Sequence, residues 1–487
     1  MSNTSKTIRG LSYQTLLTIS MGVIDIIVFS IMSRILTRED FGVYAAIAAI
    51  TAIFYSIAEA GIGSAIIQTK DVSVGYRNTA FTLSFTIGFI IAAIMSLAAD
   101  KISILIVDER LKIPIIMMST TIFFNGLLSV FLGWMYRQLQ FLRVGIIQIV
   151  SLVVSSLIGI YLAYNGYGYY SIVYKGIIYS LLSLLIAFFF VGTKFKFELK
   201  SEYIKSIINF GGWLTASVII RNVAQQIDRL MMSKLLSVSM LGAYNRPKDF
   251  VSQISNKLNG IFDTVLFPIL SSIQDDNKSI ISSLKKSMYF LNLFSFLLCA
   301  FFIFNSRLII KIFLGEEWMD LNLLLKVISL SLIINMNTRI GDCYLRSLAL
   351  VKAQFYIRLA ELLLMIMAVV AFYRWGLVSI ALSVIMVSVV SLVFKIMYIS
   401  NKVGCPLFNI LVIILKSWRF SILLVPLMLI ITSLAPQSLF GDIVVCSCFI
   451  SISLIIFLFL PFAVGREYKE GLYKQIISYI KNKTSFT

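Results

Sequence analysis

Eleven ionisable residues fall inside or near the ends of long apolar runs: Asp25, Glu59, Lys175, Arg221, Asp228, Arg229, Lys257, Asp263, Arg339, Asp342 and Glu361. A charge at the centre of a helix in hydrocarbon costs roughly 2.5–3.5 kcal/mol, so the set facing lipid would cost up to about 30 kcal/mol. These groups must therefore face a cavity or one another. Their spacing groups them on helical faces. Arg221, Gln225, Asp228 and Arg229 stand at i, i+4, i+7 and i+8, one stripe. Asp249, Gln253, Asn256 and Asp263 share a second, with Lys257 beside them. Asn335, Arg339, Asp342 and Arg346 form a third. Gln14, Thr18, Gly22 and Asp25 form a fourth, and Thr51, Tyr55 and Glu59 a fifth. One reading is a packed bundle tied by salt bridges, such as Asp228 to Arg221 or Arg339 to Asp342. Whole polar stripes fit a water-filled wall better than isolated polar links do.

What could such a wall do? There is no His, which removes imidazole relays, His-based zinc sites and triads. The five Cys have neither metal spacing nor a disulfide framework. No Gly-Lys pair occurs, so a Walker A phosphate cradle is absent. Transport through the wall would then be secondary, without a cofactor, driven by H+ or Na+ or by the substrate gradient. Asp25, Glu59, Asp228, Asp263 and Asp342 are the candidate coupling carboxylates. Asp25 and Glu59 lack an obvious basic partner on their own helix, which makes them the better protonation candidates. Arg246 and Lys248, at the expected outer mouth of the eighth span, are candidates to meet an anionic headgroup.

The elements that must position these residues follow from composition. Apolar residues make up 59% and charged residues 13% of 487 residues, and mean hydropathy is +0.93. A soluble protein carries about 25% charge, so a water-soluble globule is excluded, and disorder with it. Net charge is +19. In this context it reads as basic loops against anionic lipid headgroups, not as nucleic-acid binding. A membrane-spanning helix needs about 20 apolar residues. About fourteen such runs occur, including 11–35, 41–68, 208–235, 248–272, 322–345, 418–435 and 441–464. With the N-terminus inside, inner loops and tails hold about 25 Lys and Arg against about 12 outside, the positive-inside bias. Both termini then face the cytoplasm. The tail 466–483 reads as an interfacial amphipathic helix.

The chain also resembles itself. Ser33-Arg34-Ile35-Leu36-Thr37 returns as Ser233-Lys234-Leu235-Leu236-Ser237, and Gly42-Val43-Tyr44 as Gly242-Ala243-Tyr244, both at an offset of 200. Gly168, Ser171 and Ile172 match Gly376, Ser379 and Ile380. Six spans per unit give both copies the same orientation, related by an axis along the membrane normal. The expectation is an all-α polytopic membrane protein. Residues 1–200 form a first six-helix lobe and 201–402 a second, facing it across a central cavity. Residues 403–487 add two further spans and the tail.

Several segments resemble a known family. Ser33-Arg34-Ile35-Leu36-Thr37-Arg38-Glu39-Asp40-Phe41-Gly42-Val43-Tyr44 looks like the end of the first helix in polysaccharide flippases, and Ala60-Gly61-Ile62-Gly63-Ser64-Ala65-Ile66-Ile67-Gln68 like the close of the second. Phe210-Gly211-Gly212-Trp213, Asp228, Leu241-Gly242-Ala243-Tyr244, Leu266-Phe267-Pro268-Ile269-Leu270 and Phe313-Leu314-Gly315-Glu316-Glu317-Trp318 fit in order. The chain resembles the Wzx-type lipopolysaccharide and exopolysaccharide exporters of the multidrug/oligosaccharidyl-lipid/polysaccharide flippase superfamily. That resemblance implies a prokaryotic inner-membrane carrier of a lipid-diphosphate-linked oligosaccharide (undecaprenyl diphosphate being the expected carrier lipid), working by alternating access. It implies membrane lipids and polysaccharide assembly proteins as partners. Arg221, Arg229, Lys257 and Arg339 are then the first candidates for headgroup contact, with Gln225 and Asn256 for the sugar. A multidrug exporter or a peptidoglycan lipid-precursor flippase would share the lobes. A membrane glycosyltransferase or polymerase would need a sizeable loop domain and usually an Asp-x-Asp motif, and neither occurs.

Overall fold

The computed structural model describes residues 3–463, apart from 60, 70–71, 107, 193–194, 273–276, 349, 405, 407–411, 413–423 and 437. Every regular element among the described residues is helical. The first half holds α1 (Asn3–Ile35), α2 (Arg38–Glu59), α3 (Ile62–Gln68), α4 (Val74–Ile106), α5 (Lys112–Arg137), α6 (Phe141–Tyr164) and α7 (Tyr169–Phe190). The second holds α8 (Ser201–Leu235), α9 (Val238–Ser272), α10 (Asn277–Phe304), α11 (Ser306–Ile309), α12 (Asn322–Ser329), α13 (Ser331–Ser347), α14 (Val351–Phe372) and α15 (Leu377–Val403). Beyond them lie α16 (Leu424–Leu434) and α17 (Leu439–Ala463).

Ten helices of the described residues are long and apolar enough to cross a membrane. The chain is a multi-pass membrane protein by that measure. Two more of the fourteen expected spans are α8 and α9, 35 residues each, long enough but more polar because they carry the stripes. The last two are α16 and α17, which fall partly outside the described residues, as do Cys405 and the tail 466–483. The expected second span is two helices, because Gly61 adopts φ 67° and interrupts it. That left-handed turn suits glycine, and it leaves Glu59 at the end of α2.

The offset of 200 reappears in the helix ends. α1 stops at Ile35 and α8 at Leu235, and α2 starts at Arg38 and α9 at Val238. Cap chemistry explains the match. The Thr37 side chain accepts from the Asp40 N–H at 3.2 Å, while Asp40 accepts from the Thr37 N–H at 3.0 Å, a reciprocal capping box. Ser237 accepts from the Met240 N–H at 3.3 Å at the equivalent corner.

These two corners pack together. A Cβ placed on Gly42 would lie 1.9 Å from the Val238 carbonyl oxygen, and one on Gly242 would lie 1.8 Å from that of Arg38. The contact is reciprocal: position 42 meets 238 as 242 meets 38. Only a hydrogen on each Cα lets the two backbones approach this closely.

Around the crossing, the first half is pinned to the second by directed bonds. Arg38 donates two bonds to Asp320 at 2.5 and 2.9 Å and a third to the Glu317 carbonyl. Arg34 donates to the carbonyls of Lys311 and Ile312. Trp318 Nε1 donates to the Ser33 carbonyl at 3.1 Å, and its ring lies edge-on to Phe41. The largest apolar core runs through this region, from Val28 to Trp318 and beyond. At the other end of α4, the extended segment 195–200 is strapped onto that helix. Lys196, Glu198 and Lys200 donate main-chain N–H bonds to Asn78, Thr82 and Thr79.

Candidate functional site

The polar stripes of α8, α9 and α13 converge on one cavity of about 230 Å³. Every residue around it lies between Ala224 and Ser388, so the second half alone supplies its wall. Of the residues expected from sequence, Gln225, Asp228, Arg229, Lys248, Asn256 and Arg339 line it. The helical spacing that grouped them is what delivers them to one wall.

The short turn between α8 and α9 folds Asp228 onto Lys248. Asp228 is 1% exposed and pairs with the Lys248 ammonium. It also accepts from the Tyr244 hydroxyl at 3.4 Å and the Arg229 N–H at 2.9 Å. Arg229 donates to Asp249 at 2.6 Å, and Asn245 donates to the other oxygen of that carboxylate at 2.7 Å. The bridge from Asp228 to Arg221 that the packed-bundle reading offered does not form. Arg221 sits two turns earlier on α8, and Asp228 points to α9 instead. Lys248 is likewise not at the mouth of its helix, because α9 begins ten residues earlier, at Val238.

A second network backs the cavity. Asp342 is 3% exposed and pairs with Arg358 on α14 and with Lys395 on α15 at 3.0 Å, with Gln354 donating at 3.2 Å. Arg358 also donates to Glu361 at 2.9 Å, and Ser391 donates to the same carboxylate at 2.8 Å. The two acids balance the two bases, which is what makes such burial tolerable. The expected Arg339–Asp342 bridge is therefore replaced by partners from two other helices, and Asp342 lines neither cavity described here. Arg358 and Lys395 were passed over in the sequence. The Arg358–Glu361 spacing of three was the available signal for the former. For Lys395 the signal was its place inside the apolar run 376–400.

A further cavity of about 260 Å³ lies between the halves. Asp25 of α1, Tyr44 of α2, Lys175 of α7, and Arg246 and Asp249 of α9 line it. Lys175 is within Coulomb range of Asp25 and Arg246. Arg246 is not at an outer mouth. It is 7% exposed, donates to Ser33 Oγ at 2.9 Å and the Phe29 carbonyl at 2.6 Å, and lies 3.4 and 3.9 Å from the Phe29 and Phe41 ring centres. This cation–π contact bolts α9 to the first half. Glu59 and Arg221 face each other across α2 and α8 within Coulomb range. So neither Glu59 nor Asp25 lacks a basic neighbour: each has one on another helix. Arg221 also stands among Arg339, Arg358 and Arg346. The side chains of Lys257 and Asp263 lie outside the described residues. Among the described residues no cluster of His, Cys, Asp or Glu could hold a metal ion.

Residues 31–323 match the family described as polysaccharide biosynthesis protein. The chain belongs to that family. All the flippase-like motifs quoted from the sequence, from Ser33 to Trp318, lie within the matched residues, and the family resemblance stands. The chain is 23% identical to the lipopolysaccharide biosynthesis protein WzxC of Escherichia coli (strain K12) over 361 residues, 73% of this chain and 72% of that protein. Among solved structures it is similar to the lipid II flippase MurJ in its inward closed conformation. The TM-score is 0.72 at 14% identity, over 91% of this chain and 97% of that one. It is also similar to an inward-facing multidrug resistance MATE family transporter of the MOP superfamily. That match has a TM-score of 0.62 at 11% identity, over 80% and 98% of the two chains. The fold is that of this transporter superfamily.

Proposed function

We propose that the protein is a secondary transporter that flips a lipid-diphosphate-linked oligosaccharide from the cytoplasmic to the outer leaflet, for cell-surface polysaccharide synthesis. The observation that carries this reading is the polar cavity buried among apolar helices. A diphosphate and its sugars cannot cross hydrocarbon, whereas a cavity offering Arg and Lys to phosphate and amides and hydroxyls to sugar lowers that barrier. The lipid tail stays in the bilayer. The family and the lipopolysaccharide biosynthesis relative support the substrate class, and the flippase and MATE likenesses support the carrier fold.

In this reading the halves 1–200 and 201–402 are two lobes that rock about the Gly42–Gly242 contact, giving alternating access. Fourteen spans, both termini cytoplasmic, cross a prokaryotic inner membrane. Asp25 and Glu59 carry the coupling ion, H+ or Na+. Arg221, Arg229, Lys248, Lys257 and Arg339 meet the anionic headgroup. Polysaccharide assembly proteins are its neighbours, and no catalysis is involved.

The test is purified protein in proteoliposomes with a fluorescent lipid-diphosphate-linked oligosaccharide. Protein-dependent leaflet exchange, with the lipid recovered chemically unchanged, is the expected result. Growth of the glycan would make the protein an enzyme. Efflux of ethidium without exchange of the glycan lipid would make it a drug exporter.

A further inference from the structure

The cavity between the halves has a roof at the end where α1 stops. Phe41, on its wall, packs edge-on against Trp318 with ring centres 5.8 Å apart. Ser33 adjoins the wall residue Met32, and it accepts from Trp318 Nε1 through its carbonyl and from Arg246 through its hydroxyl. Trp318 is 2% exposed and stands in residues 306–321, a segment of the second half that lies across the α1–α2 corner of the first. Arg38 grips the same segment from α2, through Asp320 and the Glu317 carbonyl.

The segment is held from two sides. α11 runs on as a single π turn, Ile310–Leu314, and Gly315 at φ 108° takes the chain out of it. The last carbonyls of a helix have no partner inside it and carry its negative end. Ser30 donates to the Ile312 carbonyl at 3.0 Å, and Arg34 donates to those of Lys311 and Ile312 at 3.0 and 2.8 Å. Side chains of α1, in the first half, thus cap a helix of the second. Such π turns often mark functional positions. On the far side, the Lys311 ammonium lies 3.4 Å from Asp442 of α17, with 19% and 13% of the two side chains exposed. α17 stands outside the repeat of 200 residues, so one turn of helix is gripped by the first half and by the appended helices together.

These grips differ in kind from the crossing beside them. At Gly42 and Gly242 backbone meets backbone. Arg34 and the carbonyls it caps meet at the surface, so on release both pass to water at small net cost. The Arg38–Asp320 pair is partly exposed and by itself worth little. Such contacts can let go while each half keeps its fold. We propose that residues 306–321 are a clasp that shuts one end of the passage between the halves. It opens when Arg34 and Trp318 release their partners in the opposite half, the Gly42–Gly242 crossing staying as the pivot, and Asp442 sets how firmly it holds. This rests on the alternating-access reading and names the contact that must part in it.

The experiment reads access to the cavity from each side of the membrane. Met32→Cys places a thiol under the clasp. A membrane-impermeant maleimide is added to intact cells and, separately, to inside-out vesicles. Labelling is the excess over the parent chain, which has five cysteines of its own. With the clasp shut, the thiol reacts slowly from the side where α1 ends. Arg34→Gln, which gives up the cap, should raise that rate by about tenfold or more and leave the rate from the other side no higher. Asp442→Asn should raise it by about threefold. Denaturation midpoints certify that each variant is folded. A second arm removes no bond: Arg38→Cys with Asp320→Cys is bridged by a short bismaleimide. The bridged chain should lose labelling from that side and exchange no glycan lipid in proteoliposomes, whereas either single cysteine treated alike should exchange normally. Unchanged labelling in Arg34→Gln, or full exchange through the bridged chain, makes these contacts ordinary packing and overturns the clasp. A rise in Arg34→Gln with none in Asp442→Asn removes α17 from it. Labelling involves no cargo, so wild type that exchanges no glycan lipid overturns the flippase reading and leaves the clasp to stand or fall on labelling.

Discussion

Removing Lys248 should be far more damaging than removing Asp228, and removing both should be nearly harmless to the fold. Asp228 is 1% exposed, while the Lys248 side chain retains 20% of its surface toward the cavity. In Lys248→Met the carboxylate keeps only a long bond from Tyr244 at 3.4 Å and the Arg229 N–H. The nearest guanidinium is committed to Asp249. Breaking a buried pair in this way costs about 3–5 kcal/mol. Asp228→Leu instead strands an ammonium on a flexible stem that can turn into the cavity, so the cost should fall to about 1–3 kcal/mol. The pair Asp228→Leu with Lys248→Met replaces two charges by apolar groups of similar size, a change that is often neutral or stabilising. The singles then sum to about 4–8 kcal/mol while the double stays near zero, so the coupling between the two sites should be at least about 4 kcal/mol. Reversible denaturation of the purified protein in detergent measures all three variants. Transport by the double variant should still drop by about tenfold or more, because a polar stretch of the wall has become apolar. Single variants within about 0.5 kcal/mol of wild type, or a double variant as unstable as the sum of the singles, would refute the reasoning. The stripe would then face bulk water instead of a low-dielectric wall.

Two further outcomes follow from the same structure. Gly242→Ala would set a methyl 1.8 Å from the Arg38 carbonyl oxygen, where about 3.3 Å is needed. α2 and α9 must then separate by about 1.5 Å, at about 1–3 kcal/mol, and Gly42→Ala should cost the same by reciprocity. Denaturation midpoints test this, and tolerance of alanine at either position would show that the helices are not in backbone contact. Glu198 accepts from Asn78 at 2.9 Å and from Lys200 at 3.0 Å, and these bonds hold its carboxyl below the usual carboxylate range. A depressed folded value stabilises the strapped segment above the unfolded value of about 4.3 and loses that stabilisation as pH falls through the folded one. Protection from hydrogen exchange at residues 195–200, taken relative to the intrinsic rate at each pH, should fall on acidification in wild type and stay constant in Glu198→Gln, so equal pH dependence of protection in both would exclude the bond.

What the sequence disclosed was periodic or repeated, and what it concealed was the pairing across helices. The offset of 200 located the α1–α2 and α8–α9 corners because Thr37 and Ser237 are caps whose chemistry is local. The stripe of Gln225, Asp228 and Arg229 identified a wall because i, i+3 and i+4 share a face whatever the tertiary fold. No such rule reports that Asp228 meets Lys248 and not Arg221, or that Asp342 meets Arg358 and Lys395. Those pairs depend on helix crossings that a single helical period does not encode. Arg246 shows the same limit: its distance from an expected span end suggested a headgroup contact, whereas its partners are Ser33 and two phenylalanine rings more than 200 residues away. The cavity, too, was expected between the halves, and a polar one lies inside the second half as well.

Those pairings bear directly on whether the buried charges argue for a passage at all. Charges neutralised two by two would, in a solid bundle, be a complete account of the stripes. Here neutralisation and hollowness coexist. Asp228, Asp249, Asp342 and Glu361 all have basic partners, yet about 230 Å³ stays open beside two of those pairs, Asp228–Lys248 and Glu361–Arg358. Amide and hydroxyl residues, among them Gln225, Ser252, Asn256 and Asn335, make up much of the rest of that lining. A wall whose charges are already compensated can stand beside an open space without leaving a bare charge in a low-dielectric site. The pairing that first looks like evidence for a packed bundle is thus what lets the wall of an open space carry its charges.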